Sequence, residues 1–469
     1  MKNRYIDLVE QTFDFPQAEF KRDEKGELKF HDIPLMDVIE KFGTPLKFFY
    51  LPVIGEQIAE ARGWFKESME RHNYTADYHY CYVTKSNHFS HVIKETIKQG
   101  AHLETSSAYD IAIMSSLYQE GVLKGDRFIV CNGFKTEPYI DAIVELRHGG
   151  YKNIIPVIDN HLEFEKLDER LNEPINIGIR IASEEEPKFE FYTSRLGLGY
   201  KNIVPFFLEQ IKDNAKFNLK MLHFFVNTGI RDNAYYWSEL NKCLRVYCEL
   251  KKEAPELDSL NIGGGFPIKN SLSFDFDYAY IVDEIIQQIK MVCAEYDVPL
   301  PHVFTEFGSF TVGEAGGALY SVLFQKRQND REKWNMIDSS FMTTLPDTWA
   351  INKRFIMLPV NLWENEYERV FLGGLTCDSD DYYNSEQHIN AIYLPKYSKT
   401  KPLHLGFFNT GAYQESIGGF GGIQHCLTPS PKYVVIDKDE SGNFKYELFR
   451  DTESANTMLS ILGYKSRKE

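Results

Sequence analysis

The 469-residue sequence predicts an α/β protein whose larger part is a (β/α)8 barrel and whose remainder is rich in β-strands. From residue 78, short runs of β-branched and aromatic residues alternate with longer segments of helical period. Eight such runs occur before about residue 310, over the length of chain that this barrel usually takes. After about Thr311 the alternation gives way to strand-rich runs alone, which indicates a second, β-rich domain.

The predicted strands are residues 78–85, 102–106, 128–133, 154–159, 175–182, 221–227, 260–265 and 303–308. Segments between them, such as 109–119 and 277–296, are long and amphipathic enough to be the crossover helices. The strand-rich runs that follow include 318–324, 369–375 and 433–436. We therefore expect the barrel over residues 45–310, with residues 1–44 and 311–469 forming one discontinuous β domain.

Polar residues end most of the predicted barrel strands, where barrel enzymes place their catalytic groups. A polar cap with a solvated stem is the usual explanation for one lysine at a strand end. Three glycines after the seventh strand either form a tight surface turn or let backbone N–H groups approach an anion. A lysine, an acid and a triple glycine together favour a site. These strand-end residues are Lys85, Glu104, Asn132, Arg180, Thr228, Gly263, Gly264, Gly265 and Glu306.

The strings YVTKSN, ETSSAYD, IRIAS, SRLG, NIGGGFP, TEFGS, TCDSDD and GAY span nearly the whole chain. In order and spacing they resemble the fold-type III pyridoxal-phosphate decarboxylases, the family of ornithine, arginine and diaminopimelate decarboxylases. SSFMTTLPDTWAINKRFIMLP, LTCDSDD and GFFNTGAYQE are similar to the biosynthetic arginine decarboxylases, of which this chain looks like a compact form. The resemblance implies an alanine racemase-like, pyridoxal 5'-phosphate-binding barrel plus a β-rich domain.

The resemblance also implies roles for individual residues. Lys85 matches the lysine that holds the cofactor as a Schiff base, and Glu306 matches the acid that pairs with the pyridine nitrogen. A carboxylate there keeps the ring protonated and makes it a strong electron sink, which favours decarboxylation. The remaining cofactor contacts that the resemblance implies are Glu104, Arg180, Phe225, Thr228, Gly263, Gly264, Gly265, Gly308, Ser309 and Tyr413.

Cys377 resembles the cysteine that returns a proton to the substrate carbon, and Asp378 resembles the residue that recognises the distal cation. Asp338 and Asp381 match positions in the substrate pocket. A single cysteine is more often an apolar core residue, but the neighbouring acids make a core position improbable for Cys377. Those carboxylates should raise its pKa and keep it a thiol, which suits a proton donor.

Three positions depart from the family pattern. Phe225 replaces a histidine that stacks on the cofactor ring, and Ser309 replaces an arginine that clamps the phosphate. Because charge-assisted bonds are about twice as strong as neutral ones, either cofactor affinity falls or Arg180 or Arg195 supplies the missing charge. Asp110 stands where a longer acid is usual, and the sequence does not assign its role.

The composition narrows the range of partners. A net charge of −16 disfavours nucleic acid and anionic membranes and suits a cationic small-molecule substrate. Seven cysteines without a C-x-x-C pair indicate neither a disulfide framework nor a zinc site, so no metal is expected. The first sixteen residues lack a signal-peptide core and no run approaches a membrane span, so we expect a cytoplasmic protein. The resemblance implies a head-to-tail homodimer with composite active sites.

The function that the sequence predicts is decarboxylation of L-arginine to agmatine and carbon dioxide in polyamine biosynthesis. Ornithine, lysine and diaminopimelate remain alternative substrates, and a catalytically dead relative that binds protein partners is the alternative of another class. Lys85, Glu306 and Cys377 are all present. A binding module needs none of them, so their joint presence favours the enzyme.

Overall fold

The computed structural model describes residues 17–184, 193–383 and 392–465. The opening segment, from which the absence of a signal peptide was predicted, lies largely outside these ranges. The chain divides into two compact units. The barrel unit comprises Ile54–Pro267 and Phe276–Thr311, and the β unit comprises Met1–Val53, Ile268–Asp275 and Val312–Glu469.

The barrel unit contains eight parallel strands in a closed ring. Their order is β5-β6-β7-β8-β1-β2-β3-β4, and β4 pairs back to β5. This closed, all-parallel arrangement confirms the barrel predicted from the sequence. The strands are β1 Tyr78–Val83, β2 His102–Thr105, β3 Ile129–Cys131, β4 Ile154–Ile158, β5 Ile175–Ala182, β6 Phe217–His223, β7 Ser259–Asn261 and β8 His302–Phe307.

Crossover helices cover the outside of the barrel, and side-chain caps begin several of them. Ser107 accepts a hydrogen bond from the N–H of Asp110 at the start of one helix, and Asp277 caps another. The helices are Pro52–Arg71, Ser90–Lys98, Ala108–Gln119, Glu137–His148, His161–Arg170, Ile203–Phe206, the π-helical Phe207–Ile211, Ala234–Glu253, Tyr278–Glu295 and Ser309–Val312. Short 3-10 turns occur at Thr84–Ser86 and Tyr200–Asn202, and the two-residue strand Leu198–Gly199 adds to β5.

The largest error in strand placement concerns β6, predicted at 221–227 but found at Phe217–His223. The first half of β6 pairs with β5, and its residues are alternately buried and solvent-facing. It therefore lacks the continuous apolar run by which the other parallel strands were predicted. The shift leaves Phe225 and Thr228 in the loop after the strand. The strands β1 and β3 also end two residues earlier than predicted, and β7 ends four residues earlier. Lys85 consequently lies in a 3-10 turn.

The β unit contains a three-stranded antiparallel sheet and a ten-stranded mixed sheet. The small sheet consists of Phe20–Arg22, Leu28–Phe30 and Ile33–Pro34, followed by the helix Leu35–Phe42. The large sheet consists of Leu46–Tyr50, Gly316–Arg327, Lys333–Ile337, Ile356–Pro359, Tyr367–Gly373, Tyr382–Tyr383, Ile392–Pro395, His404–Phe408, Lys432–Lys438 and Phe444–Arg450. Its short helices are Phe341–Thr344, Pro346–Ala350, Gln414–Gly418 and Ala455–Ile461, with 3-10 turns at Gly313–Ala315 and His425–Leu427.

The first domain boundary differs from the one expected after residue 44. The strand Leu46–Tyr50 runs antiparallel to Gly316–Arg327 and parallel to Lys432–Lys438, so it belongs to the β unit. All five of its residues are buried. A short run that is mainly apolar and fully buried suits a barrel strand equally well, and only the strand pairing separates the two possibilities.

Within the described ranges, no helix combines the length and apolar character that crossing a bilayer requires.

Candidate active site

Lys85 lies in the 3-10 turn Thr84–Ser86, directly after β1. Ser86 donates to the carbonyl oxygen of Val83 at 2.6 Å, and Thr84 donates to the carbonyl oxygen of Glu104 on β2 at 3.0 Å. Both hydroxyl-bearing neighbours are buried, whereas the Lys85 side chain is exposed. The turn therefore fixes the backbone of Lys85 at the carboxyl end of the barrel.

Asp110 supports the same turn from the helix that follows β2. Its carboxylate is buried and accepts from the Thr84 hydroxyl at 3.0 Å and from the N–H of Ser106 at 2.9 Å. The Nε2 atom of His88 lies 2.8 Å from it. Burial would raise the pKa of Asp110, but the hydrogen bonds, led by that of His88, lower it. Asp110, left without a role by the sequence, is thus an ionised positioning residue. His88 was missed, although it lies only three residues after Lys85.

Glu306 lies near the end of β8, in a polar cluster with residues from the ends of β3, β6 and β7. Its Oε1 accepts from Asn132 at 2.8 Å and from Asn261 at 2.6 Å, and its Oε2 lies 3.4 Å from His223 Nε2. Burial would raise the pKa of Glu306, but His223 and the two amides outweigh it and lower the pKa to about 2. Burial lowers the pKa of His223, while the charge of Glu306 and its hydrogen bond oppose that shift.

Asn261 and His223 were not predicted to belong to the site, and Asn132 was predicted only as a strand-end residue. Asn261 and His223 are the last residues of β7 and β6, so the correct strand register would have placed them at the catalytic end of the barrel.

Glu104 is a second buried glutamate in the barrel, with the opposite protonation. Burial, aided by the charges of Glu306 and Asp110 and opposed by Lys85, raises its pKa to about 8. Neither of its carboxyl oxygens has a hydrogen-bond partner among the described residues. At neutral pH the barrel therefore contains one ionised glutamate, Glu306, and one neutral glutamic acid, Glu104.

Several other buried polar atoms near the strand ends also have no hydrogen-bond partner in the described part of the chain. Each such atom costs about 1–3 kcal/mol if it stays unpaired. Their number suits a ligand with many polar groups, and pyridoxal phosphate, with its ring nitrogen, hydroxyl and phosphate, is such a ligand. They are Asn132 Oδ1, Arg180 Nε, His223 Nδ1 and Thr228 Oγ1.

The triple glycine follows β7 and is not a surface turn, because Gly263 and Gly264 are buried. A Cβ atom on Gly264 would lie 1.8 Å from the carbonyl oxygen of Glu306, so only glycine fits against β8. Gly265 has a φ of +104°, which other residues rarely adopt. The N–H of Gly263 donates to Asn261 at 2.9 Å, which leaves the next two N–H groups as the candidate anion donors.

Gly308 and Ser309 follow β8. Gly308 is buried, and a Cβ atom there would lie 3.2 Å from the side chain of Ser86, the neighbour of Lys85. Ser309 is half-buried at the first position of the helix Ser309–Val312. The turns after β1 and β8 are thus in close contact.

Arg180 is a cation on β5 that lies over the ring of Phe225. Its guanidinium carbon lies 5.9 Å from the centroid of Phe225, the residue that replaces the family histidine. Burial lowers the pKa of Arg180, and the exposed Arg195 lowers it further. Two cations therefore lie close enough to interact, and the charges of Glu306 and Glu104 act on Arg180 as well.

The other predicted site residues belong to the β unit, and two of the acids are occupied by protein contacts. Asp381 is buried and accepts from the N–H of Phe341 at 2.8 Å and from the N–H and hydroxyl of Thr376 at 3.0 and 2.6 Å. A carboxylate held by backbone donors on both oxygens fixes a loop. We therefore interpret Asp381 as a positioning residue for the segment that carries Cys377.

Asp338 has a similar environment. It accepts from the hydroxyl of Thr44 at 2.5 Å and from the N–H of Ser321 at 3.0 Å. Burial raises the pKa of Asp338 to about 6. These contacts favour a structural role for Asp338, which leaves Asp378 as the predicted substrate acid that is most open to a ligand.

Cys377 is exposed, and its Sγ lies 3.5 Å from the Sγ of Cys426. The pKa of Cys377 is raised, first by Cys426 and to a smaller extent by Asp378. The direction agrees with the sequence prediction, but the leading cause is a cysteine 49 residues away and not the adjacent acids. Tyr413, with a left-handed φ of 67°, precedes the helix Gln414–Gly418.

Residues 58–313 match the model of the family described as pyridoxal-dependent decarboxylase, pyridoxal binding domain. Among curated proteins, the biosynthetic arginine decarboxylase of Prochlorococcus marinus is 21% identical and covers 92% of this chain and 85% of its own length. That of Bacteroides thetaiotaomicron is 23% identical, over 93% of this chain and 86% of its own length. Both alignments run over more than 550 positions, so these relatives contain residues that this 469-residue chain lacks.

Among solved structures, the biosynthetic arginine decarboxylase from Campylobacter jejuni has a TM-score of 0.80 to this chain at 19% sequence identity. The match covers 96% of this chain and 90% of that one. At this identity the likeness establishes the fold, and it supports both the barrel and the β-rich unit.

Proposed function

The chain belongs to the pyridoxal-dependent decarboxylases, and on that premise we propose that it converts L-arginine to agmatine and carbon dioxide for polyamine biosynthesis. The observation that supports arginine is that the curated relatives spanning over nine-tenths of the chain are named biosynthetic arginine decarboxylases. Pyridoxal phosphate supplies the electron sink for the carbon that loses its carboxylate.

In this proposal Lys85 holds the cofactor and Glu306 pairs with the ring nitrogen. The low pKa of Glu306, about 2, supports that role, because an ionised carboxylate favours a protonated ring. The two amide donors orient the carboxylate and keep it charged. Glu104, neutral at pH 7, can donate a proton in a hydrogen bond to a cofactor oxygen.

The phosphate is proposed to bind at the N–H groups of Gly264 and Gly265, with Thr228 and Ser309 adding hydroxyl groups. For Tyr413, a phosphate contact is implied by the family resemblance alone. Three observations support this position. Gly264 packs too tightly against β8 for any other residue, Gly265 has a positive φ, and the buried Thr228 hydroxyl has no hydrogen-bond partner among the described residues. Arg180 is the proposed substitute for the missing arginine, since its charge lies close to the same cluster.

Cys377 is the proposed proton donor, and Asp378 is the proposed partner of the substrate guanidinium. A thiol whose pKa is raised holds its proton at neutral pH and can deliver it to carbon. We further propose a head-to-tail homodimer in which Cys377 of one subunit serves Lys85 of the other. The resemblance to the family supports this arrangement.

The test is carbon dioxide release from carboxyl-labelled arginine, ornithine, lysine and diaminopimelate. We expect the highest kcat/KM for arginine, whose planar guanidinium pairs with a carboxylate in a way that an ammonium cannot. Asp378→Asn should lower that value by roughly 30-fold, equivalent to about 2 kcal/mol for a charge-assisted pair. Asp380→Asn, on the exposed neighbouring acid, is the control.

A higher kcat/KM for any of the other three substrates would refute arginine while leaving the decarboxylase assignment intact. A protein that shows the visible cofactor band but releases no carbon dioxide from any of the four would instead be a catalytically dead relative.

A further inference from the structure

Three soft ligands meet at the exposed surface of the β unit. Cys377, His425 and Cys426 each offer one ligand atom, and these atoms lie within 4.8 Å of one another. The two sulfur atoms are 3.5 Å apart. In a tetrahedral zinc site with Zn–S bonds of about 2.3 Å, two sulfur ligands lie about 3.8 Å apart, so little movement is needed.

The backbone on one side of this cluster adopts a conformation that is costly for non-glycine residues. Cys426 has a φ of 56° and Leu427 a φ of 52°, inside the 3-10 turn His425–Leu427. A left-handed backbone is unfavourable for residues that carry a side chain, and strain of this kind clusters at functional sites. The unusual turn gives two consecutive residues, His425 and Cys426, ligand atoms that converge on one point.

The other side of the cluster is held firmly. Asp381 fixes the loop that carries Cys377 by accepting both the N–H and the hydroxyl of Thr376. Asp378, next to the cysteine, has Oδ2 3.6 Å from the Nε2 of His425. A carboxylate beside a ligating imidazole orients the ring and raises its basicity.

We propose that Cys377, His425 and Cys426 form a three-ligand site for Zn²⁺ or a soft divalent cation of the same class. Binding releases one proton from each thiol, and the metal accepts both thiolates together with the imidazole nitrogen. Three protein ligands leave the fourth position open. Because the proposed function makes Cys377 the proton donor, occupation of the site inhibits decarboxylation.

A disulfide between the two cysteines is the competing interpretation. It would need the sulfur atoms to close from 3.5 Å to about 2.05 Å, and it would need a hydroperoxide or another disulfide as oxidant. The convergence of His425 on the same point has no part in a disulfide. The three-atom cluster therefore favours the metal.

The test uses the full-length holoenzyme under reducing conditions, titrated with Co²⁺ and followed by difference absorption for the thiolate-to-cobalt charge-transfer band. Zn²⁺ is then added to displace the cobalt, and carbon dioxide release is measured in parallel. The variants are Cys426→Ser and His425→Ala, neither of which is in the catalytic machinery. His148→Ala, on an exposed histidine of the barrel unit, is the matched control.

We expect the wild type and His148→Ala to show the band with one cobalt per chain and to lose activity with zinc. Cys426→Ser and His425→Ala should bind cobalt at least roughly tenfold more weakly and tolerate correspondingly more zinc. The proposed metal site would be refuted if the wild type showed no thiolate-to-cobalt band, or if the band were unchanged in Cys426→Ser. Loss of two thiols to an oxidant, in a protein that shows no cobalt band, would establish the disulfide instead.

The cobalt band does not depend on catalysis, so it separates this inference from the proposed function. If the band forms and zinc binding leaves turnover unchanged, the metal site stands and the proton-donor role of Cys377 is refuted.

Discussion

Replacing Glu306 by glutamine should slow turnover far more than it weakens substrate binding. The amide is nearly the same size and can keep one oxygen for Asn132 and Asn261, which now bond Oε1 at 2.8 and 2.6 Å. What the variant loses is the negative charge. That charge acts on the protonated ring as electrons move into it, so its loss should raise the barrier and leave ground-state binding little changed.

The environment of Glu306 gives the expected magnitude. The pKa of Glu306 is lowered although burial opposes ionisation, so the site keeps this carboxylate charged, and hydrogen bonds to a charged group contribute about 1.5–3 kcal/mol. If the variant loses an interaction of this size in the transition state, kcat should fall by roughly a hundredfold, since each tenfold change in rate corresponds to about 1.4 kcal/mol.

The assay is steady-state carbon dioxide release by wild type and Glu306→Gln, with cofactor saturation checked by the visible band. Glu104→Gln is the matched comparison, because Glu104 is buried in the same barrel but is neutral at pH 7. It should cost less than Glu306→Gln. A Glu306→Gln enzyme with normal kcat and only a raised KM would refute the reasoning and make Glu306 a binding residue.

Two further predictions concern stability and assembly. The pKa of Glu104 is raised from 4.5 to about 8, so the folded protein keeps a proton that the unfolded chain releases, and stability should fall as the pH rises between those values. Urea midpoints of the cofactor-free protein across this window should show that fall in wild type and a flatter dependence in Glu104→Gln; equal slopes would mean that Glu104 is ionised when folded. Lys85→Ala and Cys377→Ala should each be inactive, yet their mixture should regain activity through hybrid dimers with one intact site. Demonstrated subunit exchange without recovered activity would rule out a composite site.

The sequence alone was sufficient for the barrel, and it predicted a set of site residues at the carboxyl ends of the strands. The alternation of short apolar runs with helical segments gave the eight strands, because a parallel strand buried on both faces leaves a continuous apolar signal. Lys85, Glu306 and the triple glycine could be predicted as neighbours because all parallel strands of a barrel end at the same face. Residues that follow different strands in the sequence are therefore close together in space. The pairing of the strand Leu46–Tyr50 could not be predicted in this way, since its partner strands lie some 270 and 390 residues further along the chain.

Only the tertiary structure decided which groups are charged and which side chains meet. Two glutamates of the same barrel differ in pKa. His223 and two amide donors outweigh burial and lower that of Glu306 to about 2, whereas burial without a described hydrogen-bond partner raises that of Glu104 to about 8. Cys377 and Cys426 form no recognisable sequence motif, yet their sulfur atoms lie 3.5 Å apart. Local sequence fixes backbone preference and burial pattern, whereas protonation and ligand geometry depend on distances between segments that are remote in the chain and are set by the packing of the whole unit.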